Sequence, residues 1–349
     1  MSTALATRAV GGTKLRLTEL GFGTAPLGNL YRTISDSDAR DTIIGALEAG
    51  IGYFDTAPYY GFGLSERRIG DVLRGADNYV LSTKVGRLLQ ADASACAYAE
   101  RWGFYSPMPF APVYDYSFDG VMKSWESSLQ RLGVARIDIL YVHDIGRLTH
   151  GDGHESAFRE LTHGGGFRAL EQLRADGAIQ AFGIGVNEIA ICLQTMQYAR
   201  LDVILLAGRY TLLEQDALDE LLPACERAGI SIVIGGPYNS GILATGTRDG
   251  STLHYNYALA PQTVVERVRR IEAQCDRYQV PLAAAALQFP LAHAQVASVI
   301  PGLVSRQQVE RTLSLYETSI PDQFWQELKS AGLLRADAPV PATVNGDQR

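Results

Sequence analysis

Asp55, Tyr60, Lys84 and His143 stand at or just beyond the ends of three successive apolar runs, GYFD (52–55), YVLSTK (79–84) and IDILYV (137–142). Charged groups at the ends of such runs are costly unless they are paired or used. A free tyrosine ionises near pH ~10 and is a poor base at neutrality. A neighbouring ammonium stabilises the tyrosinate, so Lys84 is expected to lower the pKa of Tyr60. Asp55 would keep that lysine charged and oriented. A neutral His143 imidazole would hold a substrate oxygen. Together the four residues can give or take a proton at a carbonyl or alcohol carbon. That half-reaction needs a hydride partner, for which a nicotinamide cofactor is the natural choice.

Each residue alone has a plainer reading. A loop tyrosine can pack, a strand-end lysine can be solvated, an aspartate can cap a turn and a histidine can be structural. The conjunction points to a redox site. Other common chemistries have no signature. Gly183-Ile-Gly185-Val-Asn-Glu188 lacks the third glycine of a dinucleotide fingerprint. There is no P-loop, no G-x-S-x-G elbow and no H-E-x-x-H. The remaining histidines (His150, His154, His163, His254, His293) lack ligand spacing, so no metal site is expected. Cys96, Cys192, Cys225 and Cys275 are too dispersed for a disulfide framework and read as reduced residues.

Eight apolar strand candidates can position such a site: LGFG (20–23), GYFD, YVLSTK, IDILYV, IQAFGIG (179–185), VILLAG (203–208), ISIVIG (230–235) and VASVIP (296–301). Most do not alternate, as expected of parallel strands buried on both faces. Helical patterns lie between them. Ser35 is an N-cap candidate for the helix that closes on Gly50, and Gly177 and Gly229 end two others. The repeat predicts an α/β fold, a (β/α)8 barrel in one domain over 1–334. Two segments interrupt it, an aromatic one at 85–119 and a polar, Gly/His-rich one at 144–166. Both follow strands, so both belong to the face where barrel active sites form. The tail 335–349 has the composition of a flexible segment.

The run GIGYFDTAPYYGFGLSERRIGDVLR (50–74), followed by STK (82–84) and YVHD (141–144), resembles the aldo-keto reductase superfamily. The resemblance spans about Leu15 to Leu315. Its Asp-Tyr-Lys-His tetrad matches Asp55, Tyr60, Lys84 and His143, and Tyr59 takes the place of a neighbour. It implies an eight-stranded barrel with NAD(P) extended across the C-terminal mouth. GVNE (185–188), LLAGRYTLLEQ (205–215), GGPYNSGIL (235–243) and YNYA (255–258) look like the aldose 1-dehydrogenase branch, with pyridoxal 4-dehydrogenases also similar. Such enzymes oxidise a cyclic hemiacetal to a lactone.

The same resemblance implies that Asn187 binds the nicotinamide carboxamide. Val186 stands where a serine is usual, and Ala207 where a glutamine is usual. Further cofactor contacts are expected from Gly23 and Thr24 after the first strand and from Arg209 and Tyr210 after the sixth. Gly236, Pro237, Tyr238, Asn239 and Gly241 follow the seventh, and Pro301, Gly302, Ser305 and Gln308 the eighth. NADP-preferring relatives carry a lysine and an arginine where Gly302 and Gln308 stand. Their absence, with Arg306 nearby, favours NAD over NADP. Tyr31, Trp102, Tyr255 and Asn256 are substrate-pocket candidates. The expected reaction is oxidation of the anomeric hydroxyl of an aldose such as L-fucose. Pyridoxal oxidation, general NADPH-dependent carbonyl reduction and a non-enzymatic nicotinamide-binding subunit are the alternatives.

Composition agrees with that reading. The chain has 349 residues, 46% of them hydrophobic, and a formal charge of −7. That balance argues against a nucleic-acid partner and supplies no polybasic membrane anchor. MSTALATRAVGGTKL has no apolar run of signal length, and the late apolar stretch 280–301 is interrupted by Gln288, Pro290, His293 and Gln295. A cytoplasmic protein is expected. The oligomeric state is left open.

Overall fold

The computed structural model describes residues 5–96, 99–248, 250 and 252–342. Eight parallel strands form one sheet, and each is followed by helix: β1 Phe22–Gly23, β2 Tyr53–Asp55, β3 Val80–Val85, β4 Ile139–His143, β5 Ala181–Val186, β6 Val203–Ala207, β7 Ser231–Gly235 and β8 Val296–Ile300. Main-chain bridges Leu20–Val299 and Gly23–Gly302 join the first strand to the last, closing the barrel. All eight strands fall within two residues of the sequence expectation.

Two apolar layers follow from burial on both strand faces. Tyr53, Ile139, Tyr141, Ala181, Val203, Leu205 and Val233 fill the interior. A hairpin of Thr7–Ala9 and Arg16–Thr18 brings Val10, Leu15 and Leu17 into the same cluster. The outward faces pack on the surrounding helices in a larger cluster. Local signals behave as read from the sequence. Ser35 accepts a hydrogen bond from the Asp38 amide and caps Asp36–Glu48. Gly229 ends Leu221–Ala228 at φ +67°.

Both interrupting segments are folded. In the first, Arg87–Ala91 pairs antiparallel with Phe110–Tyr114, and Glu100–Arg101 pairs with Phe104–Tyr105. The smaller hairpin is pinned to the loop after β1 by a bond from the Tyr31 amide to the Gly103 carbonyl. The second contains the helices Arg147–His150 and His154–Thr162. The first part of the tail, 335–342, lies against the barrel. Ala338 is buried, and Arg335 pairs with Asp219 and Asp337. A charged anchor and one apolar contact hold it there. Residues 343–349 of that tail lie outside the described residues. No helix among the described residues is long and apolar enough to cross a membrane.

Candidate active site

The C-terminal ends of β2, β3 and β4 bring Asp55, Lys84 and His143 to one rim, and the turn after β2 adds Tyr60. That turn is held by backbone contact. A Cβ on Gly61, at φ +62°, would lie 2.4 Å from the Gly28 carbonyl oxygen, and one on Gly28 would lie 2.6 Å from the Tyr60 carbonyl carbon. Only glycine allows the two loops to meet so closely, and the contact fixes where Tyr60 begins.

Lys84 is fully committed. Its ammonium donates to Asp55 Oδ2 at 2.7 Å and to the Thr56 carbonyl at 2.9 Å. It also hydrogen-bonds the Tyr60 hydroxyl, and lies 4.8 Å from that ring's centroid. Asp55 is oriented from its other oxygen by Ser82 Oγ at 2.7 Å. Ser82 in turn meets Tyr53 at 3.0 Å, and Tyr53 meets Tyr141 at 3.1 Å. This polar string beneath the site was not anticipated, because each member reads as an ordinary residue of an apolar strand. The lysine stem needs room beside β5. A Cβ on Gly185 would lie 3.3 Å from Lys84 Cε.

The electrostatics correct one expectation. Burial pushes the Tyr60 phenol above its ordinary value, and the Lys84 ammonium opposes that rise without cancelling it. The phenol is therefore protonated at neutral pH. Lys84 itself is pulled down by burial but raised on balance by Asp55 and Tyr60, so it stays charged. Burial also raises Asp55, against the effect of Lys84. The 2.7 Å contact holds the two as an ion pair. Burial, then the Arg87 and Lys84 cations, hold the His143 imidazole well below its ordinary value, so it is neutral. Among the described residues its Nδ1 has no hydrogen-bond partner, while Nε2 lies 3.4 Å from Asp144 Oδ2.

Tyr60, Lys84 and His143 border a cavity of about 460 Å³, and buried Asp55 stands behind Lys84. Tyr31, Trp102, Phe104 and Tyr257 form aromatic walls, and Gly185, Asn187 and Ala207 line the side below β5 and β6. Tyr31 and Trp102 thus stand where the sequence puts them. Tyr255 and Asn256 do not. Asn256 and Tyr257 both take positive φ, and the turn delivers Tyr257 to the cavity. Asn256 instead accepts from Arg209 at 2.8 Å, and Tyr255 packs on the outer core.

The expected cofactor residues divide in the same way. Asn187 lines the cavity, and among the described residues its side-chain amide has no hydrogen-bond partner. A free carboxamide facing a cavity above the tetrad suits the carboxamide of a nicotinamide. Small residues, Gly185 and Ala207, leave the flat space a ring requires. Gly23 and Gly302 pair across the barrel seam. Gly236 and Gly241 are at φ +55° and +101° in the loop after β7, beside Pro237 and Tyr238. Arg209 Nε donates to the Asn187 carbonyl at 2.7 Å and braces the loop after β5.

Several candidates are occupied by the fold. Tyr210 is fully buried in the outer core, with its ring centroid 5.3 Å from Phe289 and 5.9 Å from His293, and does not reach the mouth. The Thr24 hydroxyl is buried and accepts from Ser65. The Asn239 amide is used by Thr211 and by the Gly208 carbonyl. Ser305 Oγ accepts from the Gln308 amide, and Gln308 Oε1 accepts from the Val304 amide. These two residues cap the helix Arg306–Glu317 reciprocally. Pro301 accepts from the Gly23 amide at 3.0 Å and helps close the barrel.

A closed eight-stranded barrel thus carries a buried Asp–Lys pair against a tyrosine, with a neutral histidine facing the same cavity. The aldo/keto reductase family profile matches residues 19–332, and the chain belongs to that family. Members act with nicotinamide cofactors. The chain is 47% identical to a pyridoxal 4-dehydrogenase of Microbacterium luteolum, over 94% of this chain and 97% of that one. It is 40% identical to a D-threo-aldose 1-dehydrogenase of a Pseudomonas species, over 95% and 98%. An aldo-keto reductase of Bacillus halodurans in its holo form superposes with a TM-score of 0.72 at 26% identity, covering 99% of each chain.

Proposed function

We propose that this protein oxidises the anomeric carbon of an aldose in its cyclic hemiacetal form, giving the lactone with NAD+ as hydride acceptor. The observation that carries the reading is the buried Asp55–Lys84–Tyr60 relay opening, beside neutral His143, into an aromatic-walled cavity. The likeness to a D-threo-aldose 1-dehydrogenase supports the reaction class. A second substrate reading, pyridoxal, is favoured by the 47% identity to a pyridoxal 4-dehydrogenase.

The residues divide the work. His143 Nε2–H donates to the anomeric oxygen and aims the C1–H bond. Tyr60 accepts the hydroxyl proton as the C1–H electron pair departs as hydride. Lys84, held by Asp55, stabilises the tyrosinate form of Tyr60 that takes this proton and leaves the step as the neutral phenol. The bound nicotinamide supplies the hydride-accepting carbon, with Asn187 suited to hold its carboxamide. The aromatic walls limit water around the reacting carbon, which strengthens each polar contact. In the reverse direction Tyr60 is the acid.

The raised phenol sets the pH response. Oxidation needs the deprotonated form, which is scarce at neutrality and grows as pH rises. kcat/KM for oxidation is expected to climb by close to about tenfold per pH unit through the mildly alkaline range. Reduction, which needs the protonated form, gains nothing from the same change. Initial rates in both directions across that range check this, and a flat oxidation profile would sink the assignment of Tyr60 as base.

NAD is preferred because the cations that would grip a 2′-phosphate are missing. Gly302 and Gln308 carry no charge, and Arg306 is paired with Glu48 at 2.6 Å. kcat/KM is expected to be higher with NAD+ than with NADP+, by about tenfold or more from one lost charge-assisted bond. Equal or greater efficiency with NADP+ would overturn this preference. A panel of L-fucose, other aldoses and pyridoxal, followed by formation of reduced nicotinamide, tests the substrate class. Aldoses are expected to lead, and turnover of pyridoxal alone would replace the aldose reading.

A further inference from the structure

One charged group in the cavity has no part in that proton path. Asp144 follows β4 directly, and its carboxylate lines the cavity beside His143. Its Oδ2 accepts from Arg87 Nη2 at 2.5 Å and lies 3.4 Å from His143 Nε2. Among the described residues its Oδ1 accepts no hydrogen bond. Arg87 is itself fixed, buried with its guanidinium 4.0 Å from the Tyr59 ring centroid and 5.2 Å from that of Tyr114. The Asp144 main chain is held at φ +49° by a bond from its amide to the Gly185 carbonyl. That left-handed conformation is uncommon for residues other than glycine, although Asp and Asn tolerate it best.

A counterion for Arg87 would need neither the opening into the cavity nor the contact with the reactive imidazole. Resting on the hemiacetal reading, we propose that Asp144, braced by Arg87, accepts a hydrogen bond from the hydroxyl on the carbon next to the one oxidised. It thereby selects aldoses that carry a 2-hydroxyl. The donor His143 Nε2 and the acceptor Asp144 Oδ2 are 3.4 Å apart, a spacing that the gauche oxygens of a vicinal diol can bridge. His143 takes the anomeric oxygen and Asp144 takes the proton of its neighbour. A carboxylate offers only acceptors, so a 2-deoxy substrate leaves it unmatched, and an anionic oxygen in that place is repelled. Arg87 is then a positioning residue. Its charge opposes the burial that raises the Asp144 carboxyl, and its hydrogen bond holds Oδ2 on the His143 side.

The test compares two substrates in each protein, so that general damage cancels in the ratio. The probes are the aldose oxidised fastest in the panel and its 2-deoxy counterpart. The unaltered protein is expected to favour the 2-hydroxy sugar in kcat/KM by about thirtyfold, the usual worth of a hydrogen bond to a charged group. Asp144→Asn keeps the backbone conformation and should cut that ratio severalfold. Asp144→Gly, which also suits φ +49°, should bring it close to unity. Arg87→Met should lower the ratio with the carboxylate still in place. Retained binding of NADH, followed by its fluorescence, checks that each variant is folded. Oxidation of both sugars with a ratio unchanged in all three variants would overturn the role of Asp144 and leave the hemiacetal reading intact. Failure of the unaltered protein to oxidise any aldose would overturn both.

Discussion

Tyr60→Phe is expected to lower kcat at least about a hundredfold in both directions, with NADH binding retained. The lower bound comes from the usual worth of a positioned acid or base. The substitution removes only the hydroxyl, so the ring keeps its place 5.9 Å from His143 and the turn keeps the Gly28–Gly61 contact. The loss should fall on kcat and leave substrate binding largely unchanged, because the proton moves only in the reaction step. Steady-state rates with nicotinamide fluorescence titration read both quantities. Turnover within a few-fold of the unaltered protein would remove Tyr60 from the mechanism.

Lys84→Met should cost both activity and stability. Lys84 and Asp55 are almost wholly buried, at 1% and 2% exposure, and each is the other's counterion. Removing the lysine leaves a buried carboxylate with only Ser82 to satisfy it, a change worth about 3–5 kcal/mol of lost stability. Turnover should fall by more than about a hundredfold as well, since Tyr60 loses the cation that opposes its rise in pKa. The double variant Asp55→Asn with Lys84→Met separates the two effects. It has no orphaned charge, so most of the stability should return while activity does not. Denaturant unfolding of the single and double variants measures this. Equal instability of both would mean that the pair acts through packing and not through charge.

Much of this was legible in the sequence because the strands of a barrel are buried on both faces. Non-alternating apolar runs such as VILLA and SIVIG mark them even without a partner in view. The polar ends of three such runs, with one turn tyrosine, carry the site. What was not legible depends on where a side chain points after the chain turns. Tyr210 sits three residues beyond β6, and the turn sends its ring outward to Phe289 and not to the mouth. In YNYA the two residues of positive φ exchange Tyr255 for Tyr257 at the cavity. Ser82, Arg87 and Asp144 were missed because their roles rest on partners 27, 57 and 57 residues away. The rise in the Tyr60 pKa was missed because a sequence names the nearby cation but not the depth of burial, and here burial outweighs the cation.

The central claim is that hydride leaves the anomeric carbon of a cyclic sugar while Tyr60 takes the hydroxyl proton. An aldose deuterated at C1, incubated with the protein and NAD+, tests it most directly. Mass spectrometry of the reduced nicotinamide and of the sugar product is the readout. The account predicts deuterium in the reduced nicotinamide and a lactone formed in equal amount. Label retained in the sugar, or no reduced nicotinamide formed, would contradict it.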